Sequence, residues 1–175
     1  MTNNTMPKLI IVMGVSGCGK SSVASQLAND LAYQFVEADD YHSEQAKNMM
    51  AKGIPLTDEI RLPWLNRIIV HLRQQPLKNS VMAYSGLKRE HRQLFRECGF
   101  NTIFVHLTGS IALISQRMQA RTGHFMPESM LQSQFDSMQW PEGEVDVVDI
   151  DIQQSLADII EQARVCTTLL NPNSG

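Results

Sequence analysis

The 175-residue chain has little of several things, and each shortage removes a class of protein. No stretch approaches the roughly 20 consecutive apolar residues of a membrane-spanning helix, so no membrane association is expected. There are three cysteines, Cys18, Cys98 and Cys166, far apart and without a Cys-x-x-Cys pair. A disulfide framework is therefore excluded, and reduced thiols in a cytoplasmic protein are expected. The polar start, Met1 to Pro7, lacks the apolar centre of a secretory signal. Repeats, low-complexity tracts and linkers are missing too, so residues 1–175 read as one domain with a frayed tail at 171–175. A net charge of −3 offers no general attraction for nucleic acid.

What is present is a balanced apolar share of 43%, enough for a sizeable core, and an uneven distribution of charge. From Arg61 to Arg121 there are ten basic residues against Glu90 and Glu97 alone, and the remainder is acidic. Two readings stay open: solvated helix faces, or a basic lining for a small anionic ligand.

Apolar patterning divides the chain into alternating strands and helices. Lys8 to Met13 is a continuous apolar run, as in a strand buried on both faces of a parallel sheet. Further strands are expected at Phe35-Val36, Val81–Tyr84, Thr102–Leu107 and Val145–Ile150. Helices are expected after Gly19, over Ser43–Lys52, from Pro63 in a first turn, after Lys88, over Ile111–Met118, from Pro127, and around Leu156–Ala163. Such alternation implies right-handed crossovers and a three-layer α/β fold with a five-stranded parallel sheet.

The segment Gly14-Val15-Ser16-Gly17-Cys18-Gly19-Lys20-Ser21 matches G-x-x-x-x-G-K-[ST] between a strand and a helix, where a P-loop belongs. Glycines let successive N–H groups surround phosphate oxygens, and the helix N-terminus adds partial positive charge. Lys20 is expected on the β- and γ-phosphates of ATP, with Ser22 beside the loop and the Ser21 hydroxyl on Mg²⁺. Cys18 reads as a small packing residue. A nucleoside triphosphate site follows, but no reaction yet.

Asp39-Asp40-Tyr41-His42 follows the second strand, where a carboxylate can accept the proton of a hydroxyl attacking the γ-phosphoryl group. Taken alone, the two aspartates could equally cap a helix. Trp64, Met118, Met130, Phe135 and Met138 read as core, and His71, His91 and His106 receive no role.

Three longer blocks resemble bacterial gluconokinases. The first runs from Asp39-x-x-His42 through Asn48-Met-Met-x-x-Gly53-Ile-Pro-Leu-Thr-Asp58-Glu-x-Arg61-Leu-Pro63-Trp64-Leu65. The second is Ser85-Gly-Leu-Lys88-Arg-Glu-His-Arg92. The third is Arg117-x-x-x-Arg121-x-Gly-His124-Phe-Met-Pro127 with Leu131-x-Ser-Gln134-Phe135. The resemblance implies an adenylate-kinase- or shikimate-kinase-like fold with a small lid near residues 117–127. It also implies an ATP- and Mg²⁺-dependent transfer to D-gluconate giving 6-phospho-D-gluconate, and a homodimer. Residue by residue, Asp39 resembles the substrate-hydroxyl base and His42, Arg61, Lys88, His124 and Gln134 the sugar-acid contacts. Arg117 and Arg121 resemble lid arginines over ATP, Arg121 among the catalytic groups.

Departures from the family pattern concern Ser43 in place of proline, expected to loosen a helix start, and Glu37 in place of aspartate. They also include Tyr84-Ser85-Gly86 where Cys-Ser-Ala is usual, with Gly86 expected to add backbone freedom, and Trp140-Pro141 in place of a more acidic pattern. Other readings are a shikimate-kinase-like enzyme for another small hydroxy acid, or a non-catalytic sensor of ATP and a sugar acid.

Overall fold

In the computed structural model, residues 5–74, 76–120 and 128–170 are described. Five parallel strands form one sheet: β1 (Lys8–Met13), β2 (Gln34–Glu37), β3 (Ser80–Ala83), β4 (Asn101–Thr108) and β5 (Val147–Asp151), in the order β2-β3-β1-β4-β5. The expected α/β sheet is thus observed, with β3 between β1 and β2. In β1, Leu9 to Met13 are all at most 1% exposed, as both faces are covered by helices.

The helices are α1 (Lys20–Leu31), α2 (Glu44–Ala51), α3 (Asp58–Leu72), α4 (Arg89–Arg96), α5 (Ile111–Gln119), α6 (Glu128–Ser137) and α7 (Leu156–Leu169). Ala38–Tyr41 forms a single 3₁₀ turn. Three starts are capped by serine: Ser43 Oγ accepts from the Ala46 amide, Ser110 from Leu113 and Ser155 from Asp158. Such caps contribute about 1 kcal/mol each. Ser43 therefore secures the start of α2 that it was expected to loosen.

Two other boundaries move. Pro63 lies inside α3 rather than in its first turn, because the helix begins at Asp58. It sits on the exposed side with Glu59, whose carbonyl can turn to water in place of the missing N–H. β5 begins at Val147, leaving Val145 90% exposed. The preceding acids are held elsewhere: Glu144 pairs with Arg92 and Arg96, and Asp146 with Arg96. Ion pairing overrides the apolar character of Val145.

Those pairs also decide the charge question. Arg92 is fully buried, donating to both Glu144 oxygens and to the carbonyls of Gly86 and Gln139. Lys88 meets both Asp58 oxygens at 2.7 Å, and Arg117 donates to the Ile152 carbonyl. Much of the basic segment is neither solvated face nor ligand lining; it ties one part of the chain to another.

Candidate active site

Main-chain ends come first. β1 runs into the Gly14–Gly19 turn, and Gly19, at φ 96°, serves as the N-cap of α1. Gly17 is required twice over: its φ is +82°, and a Cβ there would lie 2.5 Å from the Met118 side chain. Lys20 leads α1 and folds back, its Nζ donating to the Val15 carbonyl at 3.0 Å. The ammonium is thereby placed over the early part of the loop, beside Ser16.

β2 delivers the carboxylates. Ser21 Oγ donates to Glu37, so the departure from aspartate does not prevent the acid from reaching the loop. Burial raises the Glu37 pKa, the Ser21 hydrogen bond opposes it, and the neighbouring Asp39 charge raises it further. The 3₁₀ turn then presents Asp39. Its carboxyl is held below the ordinary range, first by the hydrogen bond from His42; burial works against this, and Lys20 adds to it. Asp39 is accordingly a carboxylate at neutral pH, able to accept from a hydroxyl.

His42 lines the cleft and is tied to the carboxylate as well. Its side chain is 3% exposed, stacks on Trp64 with ring centroids 4.0 Å apart, and directs Nε2 to Asp39 Oδ1 at 3.5 Å. Trp64 is fixed in turn by its indole N–H, which donates to the Ala38 carbonyl at 2.7 Å. The residue expected on the substrate thus also orients the carboxylate, with Trp64, buried as expected, at its back.

A cleft of about 830 Å³ joins these parts. Its lining includes Ser16, Gly17, Lys20, Ser21, Glu37 and Asp39 on the phosphate side, and Arg61, Trp64, Tyr84 and Ser85 across from them. Arg61 therefore faces the cleft as expected. Lys88 does not join that lining, since its ammonium is taken by Asp58. Gly86 brings constraint rather than freedom: φ is +62°, a Cβ would lie 2.9 Å from Met13 Sδ, and its carbonyl is held by Arg92.

α6 closes one side. Gln134 was expected near the sugar acid; its Oε1 accepts from the Ser16 amide at 2.7 Å and its Nε2 donates to Ser16 Oγ at 2.9 Å. It clasps the phosphate loop while still lining the cleft. Arg117 donates to the Ile152 carbonyl and is not among the residues lining the cleft. Arg121 and His124 lie outside the described residues. Met118 packs against the core as expected and also lines the cleft, Met130 lines the cleft, and Met138 is buried as expected. Cys18 is buried, consistent with packing. Helical spacing marks an apolar face but not whether protein or a cleft adjoins it, so the cleft positions of Met118 and Met130 left no mark in the sequence pattern.

For a divalent cation, Ser21 Oγ and the Glu37 carboxylate supply hard oxygen donors of the kind Mg²⁺ accepts when most of its other ligands are phosphates and water. The donor chemistry fits the ion.

Residues 9–141 match a family described as AAA domain. The thermosensitive gluconokinase of Escherichia coli (strain K12) is 39% identical, over 93% of this chain and 89% of its own. The gluconokinase of Gluconobacter oxydans (strain 621H) is 36% identical, over 89% of each. Among solved structures, a gluconokinase from Sinorhizobium meliloti 1021 superposes with a TM-score of 0.87 at 42% identity, covering 97% of both chains. A shikimate kinase from Aquifex aeolicus vf5, at 14% identity and a TM-score of 0.62 over 95% of this chain and 99% of its own, shares the fold alone. With a phosphate-loop cleft of this construction and relatives matching along nearly the whole length, the chain belongs to the gluconokinase family of P-loop kinases.

Proposed function

We propose that the protein transfers the terminal phosphoryl group of ATP to the 6-hydroxyl of D-gluconate, releasing ADP and 6-phospho-D-gluconate. The observation that carries this reading is a single cleft lined by a phosphate loop with its lysine, an ionised aspartate and an arginine. Those are the three things a polyol acid kinase needs: a grip on phosphate, an acceptor for the alcohol proton, and a cation for the acid group.

Asp39, oriented by His42, accepts the hydrogen bond of the attacking hydroxyl and takes its proton as the new P–O bond forms. Loop amides and Lys20 hold the phosphates in line and offset the charge passing to the leaving ADP oxygen. Arg61 receives the gluconate carboxylate, and Gln134 steadies Ser16. Ser21 and Glu37 would hold Mg²⁺, which when bound neutralises charge on the phosphate oxygens. Arg121 and His124 are assigned to the lid, about residues 117–127, which excludes water as a rival nucleophile. The reading extends to a cytoplasmic homodimer; none of the described helices is long and apolar enough to cross a membrane.

The test is ADP release measured against gluconate, shikimate, common sugars and nucleoside monophosphates. Gluconate should give the highest kcat/KM. A higher value with shikimate would return the shikimate-kinase-like reading, and no acid-stimulated turnover would return the sensor.

A further inference from the structure

Tyr84 stands at the C-terminal end of β3 and is 3% exposed, yet it lines the cleft. Its backbone is pinned, the amide donating to the Val12 carbonyl at 3.0 Å, and the next residue's carbonyl accepts from the Gly14 amide at 3.1 Å. Its ring is wedged between Trp64 and Phe95, with centroids at 5.5 Å and 5.2 Å. Backbone and ring are therefore fixed, and with them the direction of the hydroxyl.

That hydroxyl forms no hydrogen bond with another described residue. Among the described residues, His42 Nδ1 is the side-chain polar atom that is both fully buried and unpartnered, so the Tyr84 oxygen is not fully enclosed, and its residue lines the cleft. A fixed phenol largely withdrawn from water and lacking a partner among the described residues is costly unless something else satisfies it. Burial keeps the phenol protonated well above neutral pH, although the Arg61 and Arg92 guanidinium charges pull the other way. It is thus an O–H donor. Of those two arginines, Arg92 is fully committed to Glu144, Gly86 and Gln139, whereas Arg61 faces the cleft.

We propose that Tyr84 is a substrate-binding and specificity-determining residue whose hydroxyl donates a hydrogen bond to the acid end of the polyol acid, alongside Arg61. This rests on the reading of the Arg61 wall as the acid site. The cysteine usual at this place in the related pattern is too short to reach as far and donates weakly, so the contact distinguishes this chain. A rigid phenol there also shortens the cleft, favouring an acid whose carboxylate stops at that wall.

Tyr84→Phe removes the donor and keeps the packing. KM for gluconate should rise about 10- to 100-fold, the range for a lost hydrogen bond to a charged group, while KM for ATP and the melting temperature stay at the wild-type values. Arg61→Gln, measured in parallel, should raise KM for gluconate as well, and the Tyr84→Phe loss should shrink in that background because both groups hold one carboxylate. Wild-type gluconate kinetics for Tyr84→Phe, with Arg61→Gln impaired, would overturn the Tyr84 assignment alone. Equal rises in both KM values, or a fall in melting temperature, would overturn it in favour of packing. An unaffected Arg61→Gln enzyme would overturn the acid-site reading and the partner assigned to Tyr84 with it.

Discussion

The loop after β1 is a phosphate loop built from main-chain groups of one continuous segment, whereas the rest of the cleft assembles side chains from the 3₁₀ turn, α3, β3 and the strand's exit. The first is a local device: glycine conformations, a helix start and one lysine suffice. The second depends on supports that hold its side chains in place. His42 and Trp64 stand behind Asp39, and buried Arg92 holds the Gly86 turn beyond Tyr84. A general site can be carried by backbone, while a particular one requires side chains held from behind.

If that contrast is right, damage to the first region should be indifferent to the acceptor. Lys20→Ala should bring turnover down to assay background with every acceptor, since its charge meets the β- and γ-phosphates. Residual turnover that varied with the acceptor would erase the distinction. Asp39→Asn comes next, lowering kcat by about 10²–10⁴ with nucleotide affinity nearly intact, the scale of a general base. Isothermal titration with ATP beside steady-state kinetics checks it, and an unchanged kcat removes Asp39 from the proton path.

The smallest effect on chemistry and the clearest on stability belongs to the support. Glu144→Gln should cost about 3–5 kcal/mol near neutral pH, as for a buried ion pair losing one partner, while kcat per folded molecule stays close to wild type. Burial raises the Glu144 pKa, but the hydrogen bonds and charges of Arg92 and Arg96 outweigh it and bring it from 4.5 to about 2. A depressed carboxyl pKa stabilises the fold fully above pH 4.5, and that contribution disappears as pH falls toward 2. Denaturant midpoints for wild type and Glu144→Gln should therefore converge across that window. A constant gap from pH 7 to pH 3 would show that the ion pair is not its source.

How much of this was legible follows from the same contrast. The phosphate loop could be read directly, because its residues are contiguous and its backbone demands are local. Asp39 and Arg61 were found through block patterns and both line the cleft. The clasp of Gln134 on Ser16, 118 residues away, had no local signal. Nor did the diversion of Lys88 to Asp58, or the use of Arg92 and Arg96 as ties rather than lining, since a positive charge in a sequence does not name its partner. Val145 looked like a strand residue, and only the arginines holding Glu144 and Asp146 explain why β5 starts later.

By itself the amino-acid order determined an α/β chain with a nucleotide loop, because apolar periodicity, turn glycines and helix starts act over a few residues. Tertiary structure decided that β3 lies between β1 and β2, that His42 backs Asp39, and that buried Tyr84 lines the same cleft as Arg61. Those outcomes are set by which surfaces bury one another and which charges meet across the fold, and neither is a property of neighbouring residues.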